Sequence, residues 1–173
     1  MMRYTSIKSN DVVNGEGISV SVFLQGCPAP HCKNCFNPET WDFNGGYDLT
    51  TKVIQDIIKK LRANGIQRNL SILGGEPLCE ENLQATYSLI RECRKAISNL
   101  RIYVWSRYTF EELRARKSML TSQILSSIDY LIDGPFIEEK KDLTLKMRGS
   151  QNQRIIDVKK SLEIKQTILM EEL

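Results

Sequence analysis

Three of the chain's five cysteines fall within nine consecutive residues, and this grouping constrains the fold more than any other feature. Cys27, Cys32 and Cys35 have the spacing Cys-x4-Cys-x2-Cys and follow an apolar stretch. Thiolates grouped so closely usually bind a metal ion or an iron–sulfur cluster. A 4Fe–4S cube has four irons, so three thiolates leave one iron free to bind a substrate. Four cysteine ligands instead give a closed cluster that mainly carries electrons.

Size and composition predict one domain, residues 1–173, with a core over about residues 4–162 and a C-terminal tail. The chain has 173 residues, of which 41% are hydrophobic, and a net charge of +3 that is too small to indicate nucleic-acid binding. The sequence contains no run of about 18 apolar residues that would predict a membrane helix, and the N-terminus lacks the apolar core of a signal peptide. We therefore expect a cytoplasmic protein, because thiols stay reduced in that compartment. The odd number of cysteines also favours a metal or cluster site over a set of disulfides.

Short apolar runs alternate with amphipathic segments, which predicts an α/β fold. The predicted strands cover residues 18–24, 70–73, 102–105 and 128–132. Residues 154–158 are either a last strand or an ordered tail, and a short helix is predicted after them. The predicted helices begin at Thr50 or Thr51, at Glu81 and at Thr109, where Glu112 completes a capping box. A closed barrel of eight such units needs roughly 250 residues, so this chain predicts a partial, open (β/α) barrel with a mainly parallel sheet.

The cysteine loop has three interpretations. The first is a site-open 4Fe–4S cluster whose free iron chelates S-adenosylmethionine. The second is a plant-type ferredoxin cluster with Cys79 or Cys93 as the fourth ligand. The third is a zinc site in which His31 joins the three cysteines.

A second loop favours the first of these. Gly74, Gly75, Glu76 and Pro77 follow a predicted strand, and glycines let the backbone approach a ligand closely. Such a loop suits the cationic amino group of an aminoacyl-type ligand. Because loops at the carboxyl ends of parallel strands meet at one edge of a sheet, we expect this loop and the cysteine loop to lie together.

The chain resembles the radical S-adenosylmethionine superfamily and, within it, the activating proteins of anaerobic ribonucleoside-triphosphate reductases. The resemblance runs from about Tyr4 to Leu162. It is carried by the cysteine loop, which continues through residues 35–41, and by four further segments. These are residues 13–17, 73–78, 133–136 and 148–153. The last segment, Arg-Gly-Ser-Gln-Asn-Gln, is the most specific to this small family.

Two positions depart from the family pattern. The superfamily spacing is usually Cys-x3-Cys-x2-Cys, so the gap between Cys27 and Cys32 is one residue longer here, and we expect Pro28 and Pro30 to shape a bulge. Ser106 and Arg107 also stand where relatives tend to have Thr-Gly.

The resemblance implies a role for each site residue. Cys27, Cys32 and Cys35 would ligate one 4Fe–4S cluster. Asn34, Cys35 and Phe36 would line the S-adenosylmethionine site, with Phe36 near the adenine. Gly75, with Gly74 and Glu76, would hold the methionyl amino end. These roles imply no catalytic residue beyond the cluster ligands.

The resemblance also implies the reaction and its partners. A flavodoxin or ferredoxin would reduce the cluster, and cleavage of S-adenosylmethionine would give a 5′-deoxyadenosyl radical. This radical would remove a hydrogen atom from a glycine of the large subunit of the anaerobic reductase, with neither nucleic acid nor membrane involved. Two alternatives remain, an activase of another glycyl-radical enzyme of the pyruvate formate-lyase type and a non-catalytic iron–sulfur electron carrier.

Overall fold

Seven strands form one sheet in the computed structural model, which describes residues 3–170. The order across the sheet is β3-β1-β2-β4-β5-β6-β7. In chain order the strands are β1 (Arg3–Asp11), β2 (Ser19–Leu24), β3 (Tyr47–Asp48), β4 (Asn69–Gly74), β5 (Ile102–Ser106), β6 (Tyr130–Asp133) and β7 (Arg154–Asp157). Since β3 and β7 are the two edges, the sheet is open.

The four central strands, β2, β4, β5 and β6, run parallel to one another. The outer strands β1, β3 and β7 pair antiparallel with their neighbours. The prediction of an α/β fold with an open sheet is confirmed, and its parallel part is this central block. The antiparallel margins are an addition that strand–helix alternation did not predict.

Within residues 3–170, five α-helices connect the strands or follow them. They are α1 (Thr51–Leu61), α2 (Glu80–Ala96), α3 (Phe110–Ala115), α4 (Met119–Ser127) and α5 (Val158–Ile164). Thr50 caps α1 by accepting the Val53 N–H, and Thr109 and Glu112 form the predicted capping box at α3. α2 packs against both α1 and α4, and α4 also packs against α5. Their apolar faces cover the sheet and form the core together with the central strands.

Strand β2 is buried on both faces, and its alternating serines, Ser19 and Ser21, are as buried as its valines. Helices cover the Val20 and Val22 side. The loop between β1 and β2 covers the other side, where Gly15 lies against Ser19 of β2 and the Asn14 carbonyl accepts from Ser71 Oγ of the neighbouring β4 at 2.5 Å. Burial on both faces is typical of a central parallel strand.

Three features differ from the sequence-based expectation. Strands β1 and β3 were not predicted, and the single helix expected after Thr109 is two helices separated at Arg116 to Ser118. The predicted last strand and the helix after it are present as β7 and α5. Within residues 3–170, no helix is long and apolar enough to span a membrane.

Candidate functional site

The cysteine loop and the Gly-Gly loop leave the sheet side by side. β2 and β4 are parallel neighbours whose last paired residues are Leu24 and Gly74. Beyond this pair the Gly75 N–H donates to the Leu24 carbonyl at 2.9 Å, and the Glu76 N–H donates to the Gly26 carbonyl at 2.8 Å. The expectation that the two loops meet at one edge of the sheet is therefore confirmed.

Gly75 makes this close approach possible. A Cβ on Gly75 would lie 2.1 Å from the carbonyl oxygen of Gly26, a distance that real Cβ contacts do not reach. Gly74 has a φ of +110°, a conformation that side chains rarely adopt. The two glycines are thus required by the contact between the loops.

The stem of the cysteine loop is fixed by the chain that follows it. Gly26 N–H donates to the Thr40 carbonyl at 2.8 Å, and Cys27 N–H donates to the Trp41 carbonyl at 3.0 Å. The buried Gln25 amide donates to the carbonyls of Glu39 and Asp42. Residues 38–42 therefore hold the first cysteine at the end of β2.

A cavity of about 460 Å³ opens between these loops. Its lining includes seven residues that the sequence singled out, Cys27, Cys32, Cys35, Phe36, Gly74, Gly75 and Glu76. Asn34 does not line it; this residue is exposed and has a left-handed backbone with a φ of +53°. The structure thus brings the three thiols and the Gly-Gly loop to one cavity.

The three loop cysteines differ from the other two in their surroundings. All three are half-buried, whereas Cys79 and Cys93 are fully buried. Burial raises the pKa of Cys79 and of Cys93 to about 12, so both thiols stay protonated at neutral pH. Cys93 lies on the buried face of α2, in the hydrophobic core, and Cys79 directly precedes that helix. Both are poorly placed as ligands.

Cys27 has both an acidic and a basic neighbour, Glu76 and Arg107. Burial raises the pKa of its thiol to about 11, and the Glu76 carboxylate adds to the rise. The Arg107 guanidinium acts in the opposite direction. The free Cys27 thiol is therefore protonated at neutral pH, and binding of iron at this position would release its proton.

His31 is engaged away from the thiols. Its ring stacks on Trp41 with centroids 4.0 Å apart and planes 4° from parallel, and Nε2 lies 3.0 Å from the Cys27 carbonyl oxygen. No group of three or more His, Cys, Asp or Glu residues in the described chain has the geometry of a single metal ion's ligands. The stacked ring and its backbone contact disfavour the zinc interpretation.

Glu76 points into the protein. Its Oε1 accepts from the Leu78 N–H and the Ser106 hydroxyl, each at 2.8 Å, and its Oε2 accepts from the Arg107 N–H at 2.7 Å. Complete burial raises the pKa of this carboxyl, and the hydrogen bonds oppose the rise. The Glu76 side chain thus anchors the Gly-Gly loop to the protein interior, and the backbone atoms of Gly74 and Gly75 line the cavity.

The segment with the sequence Arg-Gly-Ser-Gln-Asn-Gln forms the opposite wall. Arg148, Gly149 and Gln153 line the cavity. Gln153 Oε1 accepts from the Gly149 N–H at 2.8 Å, and a Cβ on Gly149 would lie 2.7 Å from the Phe36 ring. Phe36 also contacts Phe136, with ring centroids 4.8 Å apart. The wall therefore positions the aromatic residue that follows the third cysteine.

Sequence reasoning did not identify Val13 and Leu143, which line the cavity as exposed apolar residues of loops. Arg107 lines it directly after β5. Loops have no periodicity from which such a position could be inferred. Arg107 did carry a signal, since it departs from the family pattern at that position.

The residues present fit the group that the sequence implies. Three thiols on one cavity match the soft sulfur ligands that iron–sulfur clusters take. The Gly-Gly backbone and the Phe36 ring lie on that cavity too, so it offers polar and aromatic surface for a second, organic ligand.

Comparisons with known proteins agree with this geometry. The family model described as a 4Fe-4S single cluster domain matches residues 13–156. A protein of Pasteurella multocida is 36% identical over 155 residues, which are 89% of this chain and 96% of that protein. A protein of Vibrio cholerae is 37% identical over 155 residues, covering 89% and 97%, and one of phage T4 is 32% identical, covering 89% and 93%. Each of the three is named an anaerobic ribonucleoside-triphosphate reductase-activating protein.

Proposed function

The chain belongs to the family of anaerobic ribonucleoside-triphosphate reductase-activating proteins, and from this membership we propose that it generates a glycyl radical on such a reductase. The reaction is an oxidoreduction that consumes S-adenosylmethionine at a 4Fe–4S cluster. The single observation that carries the proposal is the convergence of three cysteines and a Gly-Gly loop on one cavity at the ends of β2 and β4.

Cys27, Cys32 and Cys35 are the proposed cluster ligands. They are half-buried on the cavity, while Cys79 and Cys93 are sealed in the core. Three ligands leave one iron for the substrate. When bound, the cluster supplies the electron that cleaves S-adenosylmethionine, and the resulting radical takes a hydrogen atom from the reductase glycine.

The chain's own residues orient the organic ligand. The backbone of Gly74 and Gly75 receives the methionyl amino end, and the buried Glu76 side chain fixes that loop through its hydrogen bonds to the Leu78 and Arg107 N–H groups. Phe36 is held against Phe136 and Gly149 and offers its ring to the adenine. Cys35 completes this side from the cysteine loop, whereas Asn34 does not line the cavity and is left out of the proposed site. Such positioning lowers the activation free energy for cleavage of S-adenosylmethionine.

The open sheet suits a macromolecular substrate. We propose that it is a partial (β/α) barrel of the radical S-adenosylmethionine type, with residues 1–173 as one domain. A loop of the reductase large subunit would enter through the open side, and a flavodoxin or ferredoxin would supply electrons. The reaction places the chain in the cytoplasm, where thiols stay reduced.

Anaerobic reconstitution tests the proposal. The iron-loaded protein is mixed with a strong reductant and S-adenosylmethionine, and 5′-deoxyadenosine is measured by chromatography. We expect release of 5′-deoxyadenosine by the wild type and none by Cys35→Ser. Addition of the reductase should then give a glycyl radical signal in electron spin resonance.

Two results would contradict the proposal. A wild type that holds iron and sulfide but releases no 5′-deoxyadenosine would be an electron carrier. Release of 5′-deoxyadenosine together with a radical on a pyruvate formate-lyase type partner, and none on the reductase, would identify a different activase.

A further inference from the structure

Arg107 links the cysteine loop to the Gly-Gly-Glu-Pro loop. Its backbone N–H donates to Glu76 Oε2 at 2.7 Å. Its guanidinium Nη1 donates to the carbonyl oxygens of Pro28 and Pro30, each at 2.9 Å. One residue at the end of β5 therefore contacts both loops of the cavity, one through its backbone and the other through its side chain.

The residues between Cys27 and Cys32 depend on such external donors. Pro28 and Pro30 have no N–H groups, so this stretch cannot build a regular internal hydrogen-bond pattern. In the described structure, no backbone N–H donates to the carbonyls of Cys27, Pro28 or Pro30. The His31 ring nitrogen Nε2 instead contacts the Cys27 carbonyl, and the Arg107 guanidinium donates to the carbonyls of Pro28 and Pro30. Hydrogen bonds from an ionised donor are stronger than neutral ones.

Arg107 thus reaches the gap between the first two cysteines from a distant part of the chain. Pro28 and Pro30 both lie in that gap, and only a long side chain at position 107 could reach their carbonyls. The same guanidinium also acts electrostatically on Cys27, so a positive charge lies beside the first thiol.

We propose that Arg107 is a positioning residue that fixes the lengthened Cys27–Cys32 loop over the cavity and places a positive charge beside the bound cluster. This inference rests on the cluster site proposed above. Two consequences follow from the one side chain. The loop is ordered before iron binds, and the added electron of the reduced cluster is stabilised by the nearby cation.

Three variants separate these consequences. Arg107→Met removes both the charge and the hydrogen bonds while keeping a long side chain. Arg107→Lys keeps the charge but loses the planar fork of donors. Arg114→Met is the matched control, because Arg114 is exposed on α3 and its guanidinium lies over the Phe110 ring.

The first measurement uses the iron-free protein. Hydrogen exchange is followed at the hydrogen-bonded amides of Cys27 and Cys35, which bound the loop at its two ends. We expect Arg107→Met to accelerate exchange there by roughly tenfold, which is the scale of losing hydrogen bonds to a charged donor. Arg107→Lys should fall between, and Arg114→Met should match the wild type.

The second measurement uses the reconstituted protein. We expect iron to be lost to a chelator faster in Arg107→Met than in the wild type. The midpoint potential of the cluster should move to a more negative value in Arg107→Met and stay near the wild-type value in Arg107→Lys. Neither readout depends on turnover.

The outcomes distinguish this inference from the proposed function. Unchanged loop exchange, chelator resistance and potential in Arg107→Met would overturn the role of Arg107 even in a fully active enzyme. A wild type that takes up no cluster would overturn the proposed function, and the exchange of the iron-free loop would still decide whether Arg107 orders it.

Discussion

At the scale of single residues, the site depends on a few atoms whose positions tolerate little change. The cysteine triplet and the glycine pair were predictable from sequence, because their spacing and chemistry are local. The inward direction of Glu76 and the contact of Arg107 with Pro28 and Pro30 were not, because each joins residues far apart in sequence. Local patterns identify ligands, but the contacts that hold ligands in place are long-range.

Replacing the loop cysteines tests the proposed ligand set. We expect Cys27→Ser, Cys32→Ser and Cys35→Ser each to abolish cleavage of S-adenosylmethionine, because a hydroxyl replaces an iron-binding thiolate. Iron and sulfide content and the release of 5′-deoxyadenosine measure the effect.

Cys79→Ser and Cys93→Ser are the controls, and both should keep the cluster. Serine is also a favoured residue directly before a helix, the position that Cys79 holds at α2. Loss of the cluster in either control would indicate a fourth thiolate ligand and would contradict an open iron.

Gly75→Ala tests the contact between the two loops. The new methyl group would meet the Gly26 carbonyl oxygen, a backbone atom that cannot turn aside. We expect a loss of about 1–3 kcal/mol in the free energy of unfolding, measured by denaturant titration of the iron-free protein.

Gly65→Ala is a control for that experiment, since it also alters a glycine but has open space around the new Cβ. Gly65 has a φ of +67°, so some destabilisation from backbone strain is expected in the control. Only Gly75→Ala should also impair iron uptake. Equal iron uptake by both variants would show that the close approach of the loops is not needed for the site.

At the scale of elements, the sequence predicted those with a strong pattern or a clear boundary. α1, α2 and the central strands have apolar periodicity, Thr50 also caps α1, and each of these elements lies where expected. β1 alternates few apolar residues with many polar ones, and β3 has only two residues, so neither gives a periodic signal. Their place is decided by pairing with β2 and with each other, which is a tertiary effect.

The last strand is held by an ionic network that gives a pH prediction. Arg154 on β7 pairs with Glu111 on α3 and with the buried Asp133, and Thr167 donates to Glu111 at 2.7 Å. Arg154 and Thr167 lower the pKa of Glu111 to about 2. Because the native pKa lies below the unfolded value, Glu111 contributes stability above pH of about 4.5, and this contribution is lost as the pH falls towards about 2.

Glu111→Gln should therefore be less stable than the wild type at pH 7, and the difference should disappear as the pH approaches about 2. Thermal unfolding across this range measures it. Glu163→Gln, on the exposed side of α5, controls for the loss of one negative charge. A difference between Glu111→Gln and the wild type that stays constant with pH would show that the ion pair is not its source.

At the scale of the whole molecule, the open sheet leaves the cavity accessible from one side. The seven-stranded sheet does not close into a barrel, because β3 and β7 are its two edges, and the cavity lies at the carboxyl ends of its parallel strands. The prediction of an open architecture followed from chain length alone. Which loops form the mouth did not follow, because exposed loop residues carry no pattern.

Exposed apolar side chains at this mouth suit a protein substrate. Val13 is 69% exposed and Leu143 is 74% exposed, and both line the cavity. Exposed apolar groups beside a ligand cavity often contribute to protein interfaces, where a few residues carry most of the affinity. We expect Val13→Asp and Leu143→Asp each to weaken binding of the reductase large subunit by at least about tenfold, measured by anaerobic titration calorimetry.

Met119→Asp is the matched control for these two variants. Met119 is 78% exposed at the start of α4 and does not line the cavity, so the same charge introduced there should leave the affinity unchanged. Equal weakening in all three variants would indicate a general effect of negative charge on association. Unchanged affinity in Val13→Asp and Leu143→Asp would place the reductase on another surface. The open side of the sheet would then admit only a flexible glycine-bearing segment, with docking contacts made elsewhere on the molecule.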